Sequence, residues 1–373
     1  MLVFGKLWTM RLVFFMSGIG ISVWAIVIPY VKIRFHLGDG TLGLVLLAGG
    51  TGGVAVMPLA GLAVARWGSR SCIIGTALLM CLLLPVLGTA SSPLMFTALL
   101  FIYGANFGAL DVAINAQGAV VEARSGRLHM SGFHACYSLG TLAVALLASL
   151  ILKLGGTVPI LCVVSAAMVL AGLTQSFRLV PKSGDTPSSG HYFARPNRRA
   201  LVLGLCCYAA FMTEGACTDW SAIFLRFSRS MAIDSATLGY AAFAVMMTLA
   251  RLTGDRLAMR FGQVWVMRLG VALGVAGFAL AVLVHSGLAG IIGFGLVGFG
   301  TGNMAPLLFS AAARVPGMAA HHSMPAVVAI GYAGFLTGPV MIGLVSSHFG
   351  LGAAFGVDAA LLGLAFFGAR AVA

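Results

Sequence analysis

The chain has 373 residues, of which 60% are hydrophobic and 8% charged, with a mean hydropathy of +1.04. That balance excludes a water-soluble globular domain. The formal charge of +13 would suit a nucleic-acid binder, but the basic residues sit in short segments between apolar runs, which points to anchoring in a lipid bilayer and not to nucleic acid.

Apolar runs bounded by charges and turn residues predict twelve transmembrane helices, hence an all-α polytopic membrane protein. They fall near 9–30, 41–65, 72–89, 94–121, 130–152, 157–177, 200–226, 237–258, 264–284, 288–312, 325–347 and 352–370. The first run, from Trp8 to Tyr30, is too long for a signal peptide and is followed by no small-residue cleavage site, so it reads as a span. Twelve spans of about 20 residues use roughly 240, which leaves about ten per connection and no room for a soluble domain. Glycine, at 50 residues, is nearly double its ordinary share, as suits closely packed membrane helices. The seven cysteines lie in or beside apolar runs with no CxxC pair, so neither a disulfide framework nor a metal site is expected. With the N-terminus inside, 17 of the 22 Lys and Arg fall on the cytoplasmic side, which places both termini in the cytoplasm.

The longest connection, 180–199, holds three prolines, three serines and the basic residues Lys182, Arg195, Arg198 and Arg199. It reads as a cytoplasmic linker between six-helix halves at 1–179 and 200–373. The halves repeat. Leu42-Gly43 recurs as Leu238-Gly239 at an offset of 196, and Arg66-Trp67-Gly68 recurs as Arg260-Phe261-Gly262 at 194. Met130 and Gly140 match Met324 and Gly334, again at 194. A parallel repeat of this kind is the architecture of a rocking transporter with its site between the halves.

Asp111 is central to the fourth span, where an ionised carboxylate costs at least about 2.5–3.5 kcal/mol, and no Lys or Arg is expected at mid-depth to offset it. Gly104, Gly108, Asp111 and Asn115 recur at helical spacing, a small and polar stripe suited to a partner helix or an aqueous cavity. Measured from the 122–129 turn at the rise of an α-helix, Asp111 lies about 16 Å up, Asn115 about 10 Å, and His134 about 8 Å up the next span. His134 should therefore meet Asn115 before Asp111. Glu214 sits at mid-depth of the seventh span and poses the same solvation problem in the other half. Asp358, about two turns from the outer end of the last span, reads as structural. Trp24, Asn106, Tyr208, Asn303 and Tyr332 are the other mid-depth candidates for lining a solute site.

The loop Gly61-Leu-Ala-Val-Ala65-Arg66-Trp67-Gly68-Ser69-Arg70 resembles the signature of the major facilitator superfamily, with Ala65 in place of its acid. The resemblance implies a charge-paired latch at this loop involving Arg66, Arg70 and Arg260, with Arg251 and Asp255, at i and i+4 at the end of the eighth span, supplying a substitute for the missing acid. Leu110-Asp111-Val-Ala-Ile-Asn115, with Phe133-His134-Ala-Cys-Tyr-Ser138-Leu-Gly140, is similar to the fucose permease branch. That likeness implies sugar contacts for Asp111, Asn115 and His134. Asp111-x-x-x-Asn115 together with Glu214-Gly-Ala-Cys-Thr-Asp219-Trp220-Ser221 looks like the YbjJ-type proteins of the bacterial inner membrane. The fucose branch also uses an acid on its first helix for proton coupling. None occurs between Met10 and Tyr30, so either Glu214 takes over or coupling is absent; of the two mid-span acids that could carry the proton, Glu214 and Asp111, the expected division gives the proton to Glu214 and the solute contact to Asp111.

These features predict a secondary active transporter that moves a small polar, sugar-like solute by alternating access with proton coupling, as a monomer and without a cofactor. Efflux of amphipathic compounds is the alternative within the class, although the fifth span lacks the Gly-Pro pattern of the superfamily's antiporters. A non-transporting receptor would be expected to bring a further soluble module. No phosphate-binding loop of the Gly-x-x-x-x-Gly-Lys type and no catalytic constellation within the spans favours an enzyme.

Overall fold

The computed structural model describes residues 2–37, 39–181, 196–231, 233–236 and 238–373. Six helices come first: α1 (Leu2–Arg34), α2 (Asp39–Trp67), α3 (Ser69–Gly88), α4 (Pro93–Ser125), α5 (Met130–Lys153) and α6 (Val158–Leu173). Then follow α7 (Arg198–Ser228), the short α8 (Ile233–Ala236), α9 (Leu238–Phe261), α10 (Gln263–Leu283), α11 (Gly287–Thr301), α12 (Met304–Ala312) and α13 (Ala320–Gly368). The bulk of the expected linker, 182–195, lies outside the described residues.

Ten helical stretches among the described residues are long and apolar enough to cross a membrane. Two further spans bring the set to the expected twelve. One is α9, whose Arg251, Asp255, Arg256 and Arg260 depress its hydropathy. The other is inside α13, which is two spans end to end with a break at Gly350, where φ is 81°. The tenth span, expected to be continuous over 288–312, is instead divided into α11 and α12 by Gly302 and Asn303.

Local chemistry sets the helix ends. Ser92 caps α4 by accepting from the Met95 amide at 3.2 Å, with Pro93 in the first turn, and Gly126 ends it in the left-handed conformation at φ 66°. Asn197 caps α7 through the Ala200 amide at 2.9 Å. The repeat is visible in the backbone. Gly68 (φ 83°, ψ 150°) joins α2 to α3, and Gly262 (φ 88°, ψ 147°) joins α9 to α10 in the same way. Only glycine adopts this conformation without strain.

The chain gathers into two compact units. The first comprises Met1–Gly126, Phe133–Ala194 and Ala319–Pro325; the second comprises Arg127–Gly132, Arg195–Met318 and Ala326–Ala373. Within the first, α4 lies so close to α2 that a Cβ on Gly104 would stand 1.9 Å from the Gly49 carbonyl oxygen, and one on Gly108 would stand 2.7 Å from that of Gly53. The small part of the α4 stripe therefore faces a helix, and the same packing fixes the turns that bear Asp111 and Asn115.

Candidate functional site

In the first unit, Asp111 and Asn115 are one helical turn apart on α4, and both are buried. Asn115 Nδ2 donates to the Asp111 carbonyl oxygen at 2.9 Å and to Asp111 Oδ1 at 3.1 Å. A carbonyl oxygen only accepts, so the amide orientation is determined and Asn115 Oδ1 points away from Asp111. His134 Nε2 lies 3.2 Å from that Oδ1, the meeting that the helical depths predict. Since Oδ1 is also an acceptor, Nε2 must carry the hydrogen, which in a neutral ring leaves Nδ1 as the basic nitrogen. Phe14 packs beside the imidazole, with ring centres 5.2 Å apart, and stacks on Phe133 at 5.4 Å. The result is a chain of three polar side chains backed by an aromatic wall. Asn106, about two and a half turns before Asn115, donates to the Thr76 carbonyl at 2.9 Å and so ties α4 to α3. Trp24 is on α1, and its side chain is outside those described.

In the second unit the expectation of no cation at the depth of the acids is overturned for Glu214. Arg251 Nη2 lies 3.5 Å from Glu214 Oε2. Arg251 is not at the end of its span. α9 runs ten residues further, to Phe261, so the guanidinium is held at mid-helix and is 7% exposed. Its Nε donates at 3.1 Å to the carbonyl of Gly302, at the break between α11 and α12. A helix break frees backbone carbonyls that must find donors in a membrane, and Arg251 serves this one. Asn303, at the same break, donates to the Ala250 carbonyl at 2.8 Å. Tyr208 shares a hydrogen bond of 2.7 Å with Thr337, and Tyr332 stands edge-on to Phe211 at 5.5 Å.

The Major Facilitator Superfamily profile matches residues 11–331. The chain belongs to the Major Facilitator Superfamily. It is 39% identical over 364 residues to an uncharacterised MFS-type transporter of Yersinia pestis, covering 97% of this chain and 94% of that one. It is 31% identical over 346 residues to the membrane protein MosC of Rhizobium meliloti, covering 91% and 84%. Among solved structures it resembles the E. coli fucose:proton symporter FucP, with a TM-score of 0.82, 18% identity and 98% of both chains covered; FucP in the outward conformation gives 0.84. This superfamily member is thus a multi-pass membrane transporter and not an enzyme.

The expected latch residues of the transporter fall into two sets. Asp255 Oδ1 accepts from the Ser131 amide at 2.9 Å and Oδ2 from the Gly132 amide at 2.7 Å. Both donors belong to the first turn of α5, where amides lack partners within the helix and favour negative charge. Arg66 and Arg260 each lie over the next ring in sequence, Trp67 at 5.8 Å and Phe261 at 5.1 Å, in equivalent turns of the repeat. Arg70 is in the first turn of α3.

Asp358, read from the sequence as structural, is fully enclosed in the second unit. Asp358 is 0% exposed, with Oδ1 accepting from Thr213 Oγ1 at 3.0 Å and Oδ2 without a hydrogen-bond partner. The sequence signal was an acid inside an apolar run, read as structural because of its nearness to the span's end.

Proposed function

We propose that this transporter moves a small polar, sugar-like solute across the bacterial inner membrane by proton-coupled alternating access, as a monomer with both termini in the cytoplasm. The observation that carries the reading is the Asp111–Asn115–His134 chain. It offers carboxylate, amide and imidazole groups beside aromatic rings, a set that can both donate to and accept from sugar hydroxyls. Tyr208 and Tyr332 are assigned to the solute lining, with Asn106 and Asn303 holding helix positions nearby in their own units. The likeness to a fucose:proton symporter supports both the solute class and the ion.

Coupling is assigned to Glu214. Paired with Arg251 it is an anion compensated by a cation, and protonation removes that charge and weakens the link between α7 and α9. Arg251 keeps its bond to Gly302 meanwhile, so the change is confined to one contact. The Asp255 contact with the α5 amides is assigned to the latch, with Arg66, Arg70 and Arg260 as its basic surroundings.

The test is uptake by proteoliposomes of a panel of labelled monosaccharides under an imposed pH gradient. At least one should accumulate, and a protonophore should collapse the accumulation. Export of amphipathic dyes with no monosaccharide uptake would reverse the reading. Single cysteines at Ser188 and Ser286 should label from opposite faces of the membrane.

A further inference from the structure

The turn between α9 and α10 opens into a cavity of about 640 Å³ whose lining includes Gly262, Gln263, Trp265, Arg268 and Arg314. Three sources of positive potential meet there. The first is the N-terminus of α10, where Gly262 supplies no side-chain cap and the first turn has no acidic residue. The second is Arg314, held by Ser310 Oγ and Gln263 Oε1, each at 2.9 Å. The third is Arg268, whose guanidinium rests on the Phe366 ring at 5.1 Å and whose buried Nε has no hydrogen-bond partner. Among the described residues no Asp or Glu lines this cavity; Ala373 also lines it, and its backbone oxygen accepts from Arg199 Nη2.

Topological charge placement does not account for this arrangement. A basic residue serving only the positive-inside rule can extend into water, whereas Arg268 is partly buried against a ring with an unsatisfied donor. Nor does the turn need either arginine. The repeat offset of 194 maps Arg268 onto Ile74 and Arg314 onto Val120, while the turn itself keeps the same backbone at Gly68. Two guanidinium groups and an uncapped helix N-terminus form the recognition chemistry of a phosphate group. Trp265, 46% exposed, and Phe261 flank the opening with rings 4.8 Å apart, as suits the headgroup level of a bilayer.

We propose that this cavity is a binding site for a phosphate group, borne by an anionic phospholipid or free in solution. The site is separate from the transport reading, since its readout is binding and not solute movement. The experiment is thermal unfolding of the purified full chain in detergent, titrated with phosphatidylglycerol, phosphatidylcholine or inorganic phosphate. Phosphatidylglycerol should raise the midpoint where phosphatidylcholine does not, which assigns the site to a lipid headgroup. An equal rise with inorganic phosphate assigns it to the free anion. Arg268→Gln should weaken the phosphatidylglycerol effect about tenfold in concentration, about 1.4 kcal/mol, with Arg268→Lys intermediate. Equal responses to the two lipids with none to phosphate, or wild-type affinity in Arg268→Gln, would overturn the proposal. Should Arg268→Gln fail to fold, the wild-type comparison of the three ligands decides.

Discussion

Arg251 bridges Glu214, 3.5 Å away on α7, and the Gly302 carbonyl, 3.1 Å away at the break between α11 and α12. One guanidinium thus compensates an acid and satisfies a broken helix. The two roles can be separated by mutation.

Glu214→Gln removes the carboxylate but leaves Arg251 its bond to Gly302. It should abolish accumulation driven by a pH gradient while preserving solute exchange at equal concentrations. Arg251→Gln disturbs both contacts and should impair exchange as well, with thermal stability lowered by about 1–3 kcal/mol. Accumulation by Glu214→Gln in response to a pH gradient would remove Glu214 from the coupling step.

His134 is bonded to Asn115 at one nitrogen and packed on Phe14, so its loss trims one end of the polar chain. His134→Ala should weaken solute binding about tenfold or more, about 1.4 kcal/mol, with a smaller loss of folding stability. Calorimetric binding beside thermal unfolding separates the two. Unchanged affinity would make the imidazole a packing group.

Among the described residues no cation contacts Asp358, and its hydrogen bond there is from Thr213. An ionised carboxylate so enclosed would be costly, and the neutral acid suits the site. Asp358→Asn keeps shape and acceptor and should change stability by less than about 1 kcal/mol, whereas Asp358→Ala leaves a cavity and an unpaired Thr213 hydroxyl and should cost about 1–3 kcal/mol. Equal losses in the two variants, read by thermal unfolding, would show that the charge is used.

Gly104 meets Gly49 through backbone on both sides, so no side chain can yield. Gly104→Ala should lower stability by about 1–3 kcal/mol or reduce folded yield. Gly75→Ala, where a Cβ has nothing within 4 Å, is the matched control and should be neutral or better.

The span pattern was legible in the sequence because a bilayer imposes its thickness and polarity on each helix separately, and the basic loops carry the orientation expectation. The His134–Asn115 meeting was legible for a related reason. Helix rise is constant, so two residues equally far from one short turn arrive at the same depth.

Arg251 marks where that reasoning stops. Reading charges as span ends put Arg251 near the surface, because a one-dimensional pattern cannot show that α9 continues to Phe261 or that Glu214 stands opposite. The break at Gly302 and Asn303 had a signal in Pro306, which has no amide hydrogen for the Gly302 carbonyl, but the donor that replaces it, Arg251, lies 51 positions away in sequence and was hidden. Asp358 was read as structural from its place near the end of a span; that it is fully enclosed depends on what packs around the helix and not on depth alone. What the sequence alone determined for this transporter is its fold class, its repeat and the matching depths of Asn115 and His134, which follow from single helices of constant rise in a bilayer. Which cation meets which acid, and which carboxyl loses all solvent, was decided only by tertiary packing, because side chains on different helices are brought together by the packing of whole faces.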